Sequence, residues 1–271
     1  MSLIKVDKLS FGYSSCEILE ELSFELDSGN FLAIAGPNGA GKSTLLNLLS
    51  GALKPKSGSI SIEDKAIGRY TNRQLCEKIA VVRQEFVPIY GFSVIETVLM
   101  ARTAYYSRTG FERKIDREIA IEALEATDTL DFAERRLGQL SSGERQRVFI
   151  ARALAQKTDI LLLDEPTSFL DLRHQIEIYD LLKKMQLEKN KAILMVTHNI
   201  NLASQYADVA LILGADSSYN WGSTKEIFTS EQIEKVFGVK TVKCIIEEEN
   251  FFLPLGKFAK INQKNKSNPN R

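Results

Sequence analysis

The chain has 271 residues, of which 44% are hydrophobic and 26% charged, a composition typical of a globular protein with ample material for a core. Its 35 basic and 35 acidic side chains cancel, which argues against a general nucleic-acid binder, since that class carries a basic excess. Two histidines exclude a multi-histidine metal site, and three distant cysteines without a C-x-x-C pair indicate neither a disulfide framework nor a zinc site. We expect the cysteines to be buried small apolar residues in a reducing compartment.

Short buried strands alternate with helical patterns along most of the chain. Strands are predicted at residues 3–6, 18–26, 31–35, 79–83, 160–164, 192–197 and 209–213. Helices are predicted at residues 43–50, 93–102, 114–127, 143–156, 174–188 and 200–206. This alternation predicts an α/β sheet with parallel strands. Residues 85–158 hold helical patterns without a convincing strand, so we expect an inserted helical subdomain there.

The ends of the sequence carry weaker signals. The first residues have no long apolar stretch of the secretory type, and no run approaches the ~18 apolar residues that span a bilayer. Strand-like pieces at residues 242–246 and 251–255 are expected only to close a domain that covers residues 1–256. Residues 257–271 are polar, with five basic and no acidic side chains, and we expect a disordered tail.

A glycine-rich stretch separates the third predicted strand from the first predicted helix. Residues 36–44 match G-x-x-x-x-G-K-[ST], and the spacing does not fit the G-x-G-x-x-G turn of dinucleotide-binding proteins. Its glycines let successive N–H groups surround phosphates, while Lys42 can reach the β- and γ-phosphates and the Ser43 hydroxyl can bind Mg²⁺. The predicted nucleotide contacts in this phosphate loop are Gly36, Pro37, Asn38, Gly39, Ala40, Gly41, Lys42, Ser43 and Thr44.

Two carboxylates follow the aliphatic run at residues 160–163. They stand at the carboxyl end of a predicted buried strand, where ligands bind in open α/β sheets. Asp164 is placed to hold Mg²⁺, and Glu165 to polarise a water as general base. Alone the pair could be a solvated turn, but together with the phosphate loop it favours nucleotide hydrolysis.

The segment at residues 140–144, Leu-Ser-Ser-Gly-Glu, begins a predicted helix. Ser141 and Glu144 have the S-x-x-E spacing of a capping box, in which each side chain satisfies a backbone N–H of the helix start. The same geometry can also present the Ser141 hydroxyl and the Gly143 N–H to an anion. Both uses remain open on the sequence alone.

Taken in order, these motifs resemble the ATPase subunits of ABC transporters over about residues 2–240. The phosphate loop resembles the Walker A loop, residues 160–165 the Walker B strand, and residues 140–144 the signature Leu-Ser-Gly-Gly-Gln, from which they depart at Ser142 and Glu144. The remaining matches are Tyr13 with the aromatic that stacks on adenine, Gln84 with the Q-loop glutamine, Asp171 with the D-loop (residues 168–171) and His198 with the switch histidine.

The resemblance implies a P-loop NTPase (RecA-like) α/β core with an N-terminal antiparallel β subdomain and an inserted helical subdomain. It implies ATP and Mg²⁺ as cofactors, with Ser43, Gln84 and Asp164 at the metal. Two copies would pair head-to-tail, so that Ser141, Gly143 and Asp171 of one chain serve the nucleotide of the other. The implied catalytic residues are Lys42, Gln84, Glu165, which acts on the water, and His198, which senses the γ-phosphate.

Some of these residues also have ordinary structural interpretations. His198 could be a strand-end histidine and Tyr13 a packing residue, while His174 is expected to be structural at a helix start. Glu144 would repel a γ-phosphate unless the capping box turned it back toward its own helix, which is the arrangement we expect.

The partners follow from the same resemblance. With no membrane segment in the sequence, the family's mechanism implies integral-membrane permease subunits, an extracytoplasmic solute-binding protein that acts indirectly, and a peripheral position on the cytoplasmic side of the membrane; nucleic acid is not expected. The apolar residues Phe86, Val87 and Phe92 could receive the permease or belong to the core of the helical subdomain.

Residues 97–102 and 170–175 resemble importers of iron–siderophore complexes, haem and cobalamin. Importers of zinc or manganese remain open. So do a soluble ABC ATPase that acts on nucleic acid or ribosomes and a module that does not hydrolyse ATP.

Overall fold

The computed structural model describes residues 2–14, 16–83, 91–106, 112–168, 170–247 and 249–256. The strands are β1 (Ser2–Tyr13), β2 (Cys16–Asp27), β3 (Phe31–Ala35), β4 (Ser57–Ile62), β5 (Lys65–Ala66), β6 (Ile79–Val82), β7 (Ile160–Asp164), β8 (Ala192–Val196), β9 (Val209–Leu213), β10 (Tyr219–Ser223), β11 (Thr241–Ile246) and β12 (Glu249–Pro254). The α-helices are α1 (Lys42–Leu49), α2 (Asn72–Lys78), α3 (Val94–Leu99), α4 (Lys114–Ala126), α5 (Ser142–Ala155), α6 (Leu172–Lys189), α7 (Ile200–Tyr206), α8 (Thr224–Ile227) and α9 (Ser230–Phe237).

A six-stranded sheet in the order β10-β9-β3-β8-β7-β6 forms the centre of the molecule. Neighbouring strands are parallel except for β10, which runs antiparallel to β9. Every residue of β3 and β8 is buried, because helices or a second sheet cover both faces. Because β3, β7 and β8 are parallel, their carboxyl ends meet at one edge of the sheet. At this edge the phosphate loop follows β3, Asp164 ends β7 and His198 follows β8.

Alternate side chains of the central strands enter two separate cores. Phe31 and Ala33 face the core that includes the helices α3 to α6. Leu32 and Ile34 face the core that includes α1 and the antiparallel sheet β2-β1-β4-β5. This arrangement confirms the predicted P-loop core with an antiparallel β subdomain.

The predicted helical insertion lies between β6 and β7. Its described residues, 91–106 and 112–158, contain α3, α4, α5 and short 3₁₀ turns but no strand. At its centre Asp116 is fully buried and accepts hydrogen bonds from Arg102 Nε at 3.1 Å and Arg113 Nε at 3.0 Å. Arg102 also donates to the carbonyl of Ala155 at 2.8 Å, so one ion cluster joins three parts of the insertion.

Several local predictions were incomplete. Strand β1 runs through Tyr13 instead of ending at residue 6, because bulges keep it paired with β2 past the turn-like residues. The two strands approach so closely at Gly12 that a Cβ there would lie 2.2 Å from the carbonyl oxygen of Cys16, so the position requires glycine. The predicted helix at 93–102 becomes 3₁₀ after Leu99. The sequence reading missed the short elements β4, β5, α2, β10, α8 and α9.

The prediction that the cysteines are buried was wrong. Cys16, Cys76 and Cys244 are all free and exposed. Cys16 begins β2 next to the turn of a hairpin, Cys76 lies on an exposed face of the short helix α2, and Cys244 lies on β11, which pairs with β12 at the surface. Exposure here depends on the position of each short element, which composition does not show.

Strands β11 and β12 form a hairpin that covers α7. The buried ring of Phe252 belongs to the helical-side core. The Asn201 side chain donates to the carbonyl of Phe252 at 3.2 Å and accepts from its N–H at 2.8 Å. The predicted tail at 257–271 lies outside the described residues. Among the helices that the structure describes, none combines the length and hydropathy needed to cross a lipid bilayer.

Candidate functional site

The phosphate loop is a tight backbone turn between β3 and α1. Gly41 is the residue before α1 and has a φ of 89°, in the left-handed region that favours glycine. A Cβ there would lie 2.6 Å from Cγ2 of Ile18, so the β subdomain also excludes a side chain at this position. The loop therefore depends on glycine for both its conformation and its packing against β2.

Lys42 begins α1 and is almost completely buried beneath the loop. Its Nζ donates to the carbonyls of Gly36 at 2.8 Å and Pro37 at 2.9 Å, which closes the loop around the ammonium group. Burial lowers the pKa of Lys42, while the carboxylates of Glu165 and Asp164 act in the opposite direction. A phosphate would offer the buried ammonium a stronger partner than two neutral carbonyl groups.

The hydroxyl of Ser43 lies beside the first carboxylate of the β7 edge. Ser43 Oγ donates to Asp164 Oδ1 at 3.1 Å across 121 residues of sequence. Burial raises the pKa of Asp164, the bond from Ser43 opposes this, and the charge of Glu165 adds to it. One hydroxyl and one carboxylate fit Mg²⁺, which keeps several waters and is bound by few protein oxygens together with substrate phosphates.

Glu165 and His198 form a direct pair at the same edge. His198 Nε2 lies 2.7 Å from Glu165 Oε1, and the Ser168 hydroxyl donates to Glu165 Oε2 at 2.9 Å. The backbone of Glu165 is left-handed, with a φ of 48°, and its N–H donates to the carbonyl of Val196 at 3.2 Å. A non-glycine residue in this conformation is held by its surroundings, and such residues cluster at functional sites.

The signature segment forms the capping box that its spacing predicted. The Ser141 N–H donates to Glu144 Oε2 at 2.8 Å, and the Glu144 N–H donates to Ser141 Oγ at 3.3 Å. The bond from the Ser141 backbone is the main cause of the lowered pKa of Glu144. Glu144 is therefore turned back toward its own helix start, as expected, and the adjacent Gly143 is buried.

Of the remaining predicted residues, the structure describes Asp171 and Tyr13, which lie at separate places. Asp171 is the residue before α6, and its carboxylate accepts the N–H of His174 at 3.0 Å. Tyr13 is 51% exposed at the end of β1, with its ring edge-on to Phe11, so packing alone does not account for it. Gln84, Phe86 and Val87 lie outside the described residues.

The sequence analysis assigned no role to the side chains of three polar residues around this site. Ser168 holds Glu165, and Gln175 accepts a hydrogen bond from Asn199, which directly follows His198. Ser168 stands three residues after Glu165, a spacing that suits a side-chain contact within one turn. Gln175 and Asn199 carry no comparable local signal, because they meet only through the packing of α6 beside the end of β8.

A comparison with protein-family models identifies the class of this fold. The family described as ABC transporter matches residues 19–168, which include the phosphate loop, the signature segment and the β7 carboxylates. The chain belongs to the ABC transporter family. It is the ATP-binding, ATP-hydrolysing cassette of such a transporter, as the motifs predicted.

Two similar curated proteins carry names from iron uptake. The petrobactin import ATP-binding protein of Bacillus anthracis is 35% identical over 266 residues, which cover 96% of each chain. The ferric enterobactin transport ATP-binding protein of Escherichia coli (strain K12) is 34% identical over 261 residues, which cover 94% of this chain and 95% of that protein. The similarity therefore extends over the whole cassette.

Solved structures agree with this assignment. An inward-facing ABC transporter described as of metal-chelate type contains a chain that is 32% identical, with a TM-score of 0.84 over 94% of this chain and 98% of that one. A dimeric bacterial ABC transporter cassette, MJ0796, is 30% identical, with a TM-score of 0.71 over 82% of this chain and 98% of that one.

Proposed function

We propose that the chain drives import of a siderophore-type iron chelate through separate membrane-spanning permease subunits. The observation that carries this proposal is the near-complete coverage by relatives named for petrobactin import and ferric enterobactin transport. The structural similarity to a transporter of metal-chelate type supports it. Haem, cobalamin, zinc or manganese as cargo, or a cassette that is not coupled to transport, are the alternatives.

The phosphate loop binds ATP in this proposal. Its N–H groups and the Lys42 ammonium contact the phosphates, and Tyr13 stacks on the adenine. The Ser43 hydroxyl and the Asp164 carboxylate hold Mg²⁺, together with Gln84. When bound, Mg²⁺ neutralises charge that develops on the phosphate oxygens.

Glu165 polarises the attacking water as general base. The Ser168 hydroxyl and His198 each contact one of its carboxylate oxygens, so the carboxylate has a fixed orientation before nucleotide binds. His198 then exchanges Glu165 for the γ-phosphate and senses its loss after hydrolysis. His198 is available for this exchange because it follows β8 at the same edge of the sheet as the phosphate loop.

Two copies of the chain pair head-to-tail around two ATP molecules. Ser141 and Gly143 of one copy contact the γ-phosphate bound by the other, and Asp171 lies at the same junction. The dimeric cassette among the similar structures supports this pairing. Glu144 does not oppose it, since its carboxylate is directed to the N–H of Ser141.

The permease binds a groove beside β6, on the cytoplasmic side of the membrane. This cavity of about 490 Å³ begins at Arg83 and is lined further by Met100, Thr103, Phe149 and Arg152. It lies between the central sheet and the helical insertion, where motion of one relative to the other can be passed to a bound partner. An extracytoplasmic solute-binding protein delivers the cargo to the permease.

Uptake by the living host tests this proposal. Deletion of the gene is expected to abolish uptake of radioactive iron presented as a siderophore chelate. The wild-type chain and the exposed control Glu188→Gln restore uptake, whereas Glu165→Gln does not, because it lacks the general base.

Cobalamin and radioactive zinc serve as parallel cargoes. If the deletion abolished uptake of zinc or cobalamin alone, the proposed cargo would be wrong, but the role in import would stand. Unchanged uptake of every cargo would contradict a role in import.

A further inference from the structure

Two side chains in the first turn of α6 take no part in the function proposed above, yet each contacts a different functional segment. They are His174 and Gln175, which stand three and four residues after the D-loop residue Asp171. His174 reaches the signature segment, and Gln175 reaches the segment that carries His198. Both also contact the D-loop.

His174 connects the D-loop with the start of α5. Its Nδ1 lies 2.8 Å from Asp171 Oδ1, which also accepts the His174 backbone N–H. The ring packs so closely against Gly143 that a Cβ there would be 3.0 Å from its Cδ2 and 3.1 Å from its Cγ. One turn further along both helices, Arg147 Nη1 pairs with Glu177 at 3.1 Å, so α5 and α6 stay in contact beyond this point.

Gln175 connects the D-loop with the segment after β8. Its Nε2 donates to the carbonyl of Leu170 at 3.0 Å, and its Oε1 accepts from Asn199 Nδ2 at 3.3 Å. Asn199 directly follows His198 and caps α7 by accepting the N–H of Leu202 at 3.1 Å. A shift of the D-loop therefore pulls on the backbone next to His198.

We propose that His174 and Gln175 are positioning residues that couple the two ATP sites of the dimer. This inference rests on the proposed head-to-tail pairing, in which His198 serves the chain's own ATP while Ser141 and Gly143 serve the partner's ATP. The first turn of α6 contacts the segment that carries His198 through Gln175 and the signature segment through His174. Neither side chain touches nucleotide, and each acts by fixing a segment that does.

The chemistry of the contacts explains why this coupling would respond to ATP. The amide of Gln175 bonds one carbonyl and one amide, so it is sensitive to small displacements of either segment. His174 is 34% exposed, so its position depends on Asp171 and Gly143 more than on general burial. When His198 leaves Glu165 for the γ-phosphate, Asn199 moves with it and Gln175 passes the shift to Leu170.

The experiment measures ATP-driven dimerisation of the full-length chain in the Glu165→Gln background, where slow hydrolysis preserves the dimer. His174→Ala and Gln175→Ala are each expected to weaken dimerisation about tenfold, since each leaves a segment that contacts ATP without the side chain that positions it. The matched control is Arg173→Ala in the same turn, because the Arg173 side chain is 84% exposed and pairs with Glu177 on its own helix. It is expected to dimerise like the parent.

Three further measurements and one further variant separate positioning from a purely structural role. With Glu165 restored, both variants are expected to lower the Hill coefficient of ATP hydrolysis toward 1, while the affinity of the monomer for a fluorescent ATP analogue and the unfolding temperature stay unchanged. His174→Asn places an amide nitrogen near the position of Nδ1, so it can keep the bond to Asp171 but loses the ring against Gly143. It is expected to remain defective in dimerisation.

The outcomes distinguish this inference from the function on which it rests. If Glu165→Gln stays monomeric in saturating Mg²⁺ and ATP, the head-to-tail pairing itself is wrong. If it dimerises, and His174→Ala and Gln175→Ala behave like Arg173→Ala, the pairing stands and the coupling role is refuted. Loss of monomer ATP affinity or of folding in both variants would also refute the coupling role, because it would show a structural one.

Discussion

At the scale of single residues, each charged side chain at the centre of the site has a hydrogen-bond partner within the protein itself. Lys42 donates to two loop carbonyls, Asp164 accepts from Ser43, and Glu165 contacts His198 and Ser168. Such mutual contacts keep buried or half-buried polar groups satisfied in the resting protein. In the proposed function, ATP phosphates give the Lys42 ammonium a stronger partner than the loop carbonyls and give His198 a partner in place of Glu165.

Glu144 offers a test at this scale. Glu144→Gln keeps an acceptor for the N–H of Ser141, so the capping box should persist and the ATPase rate should stay within about threefold of wild type. Phosphate release and urea unfolding measure the two effects. As a control, Ser141→Ala removes the cap and should cost about 1 kcal/mol in the free energy of unfolding.

Complete loss of ATPase activity in Glu144→Gln would show that the carboxylate has a direct catalytic role. That result would overturn the capping account of this departure from the signature Leu-Ser-Gly-Gly-Gln.

At the scale of elements, the helical insertion is held by an ion cluster inside its apolar core. Asp116 on α4 accepts from Arg102 and Arg113, and Arg102 reaches the carbonyl at the end of α5. The hydrogen bond from Arg113 is the main reason that the pKa of Asp116 falls to about 2. These contacts hold the helices of the insertion together. The proposed function requires this, because the insertion there moves as a unit relative to the central sheet.

Asp116→Asn should destabilise the chain by about 3 kcal/mol, because it leaves the buried guanidinium of Arg102 without a counter-charge. Urea unfolding near neutral pH measures this difference. The control is Glu118→Gln on the same helix, which breaks an exposed pair with Lys114 and should change the free energy of unfolding by under about 0.5 kcal/mol.

The difference in the free energy of unfolding between wild type and Asp116→Asn should depend on pH in one direction. The pKa of Asp116 in the folded state, about 2, lies below the usual value for an unfolded aspartate, about 4. The stabilisation is therefore fully present above about pH 4 and decreases as the pH falls toward about 2. A gap between wild type and Asp116→Asn that stayed constant or widened in acid would contradict this assignment.

At the scale of the whole molecule, the nucleotide site and the groove beside β6 lie on different parts of the cassette. The site follows the carboxyl ends of β3, β7 and β8, whereas the groove lies between the sheet edge and the helical insertion. In the proposed function, ATP hydrolysis at the site acts on a permease bound in the groove through relative motion of these two parts. A substitution in the groove can therefore separate hydrolysis from transport.

Thr103→Arg is expected to make this separation. Thr103 is exposed in the groove, so an arginine there should block the permease without disturbing ATP hydrolysis by the purified chain. Uptake of the iron chelate should fall at least tenfold in a strain that expresses only this variant. Ser59→Arg on the exposed surface of β4 provides the matched control.

Normal uptake with Thr103→Arg would place the permease contact elsewhere on the chain. Equal loss of ATPase activity in the purified protein would instead indicate damage to the cassette itself.

The sequence by itself determined the phosphate loop and the buried central strands and made the capping box at Ser141 a specific prediction, because these depend on residues close together in the chain. Only the tertiary structure decided which distant groups meet: Glu165 with His198, Ser43 with Asp164, and Asp116 with Arg102. It also placed the cysteines on the surface and the ring of His174 against Gly143. Those contacts depend on how sheets and helices pack, and no local pattern of side chains encodes that packing.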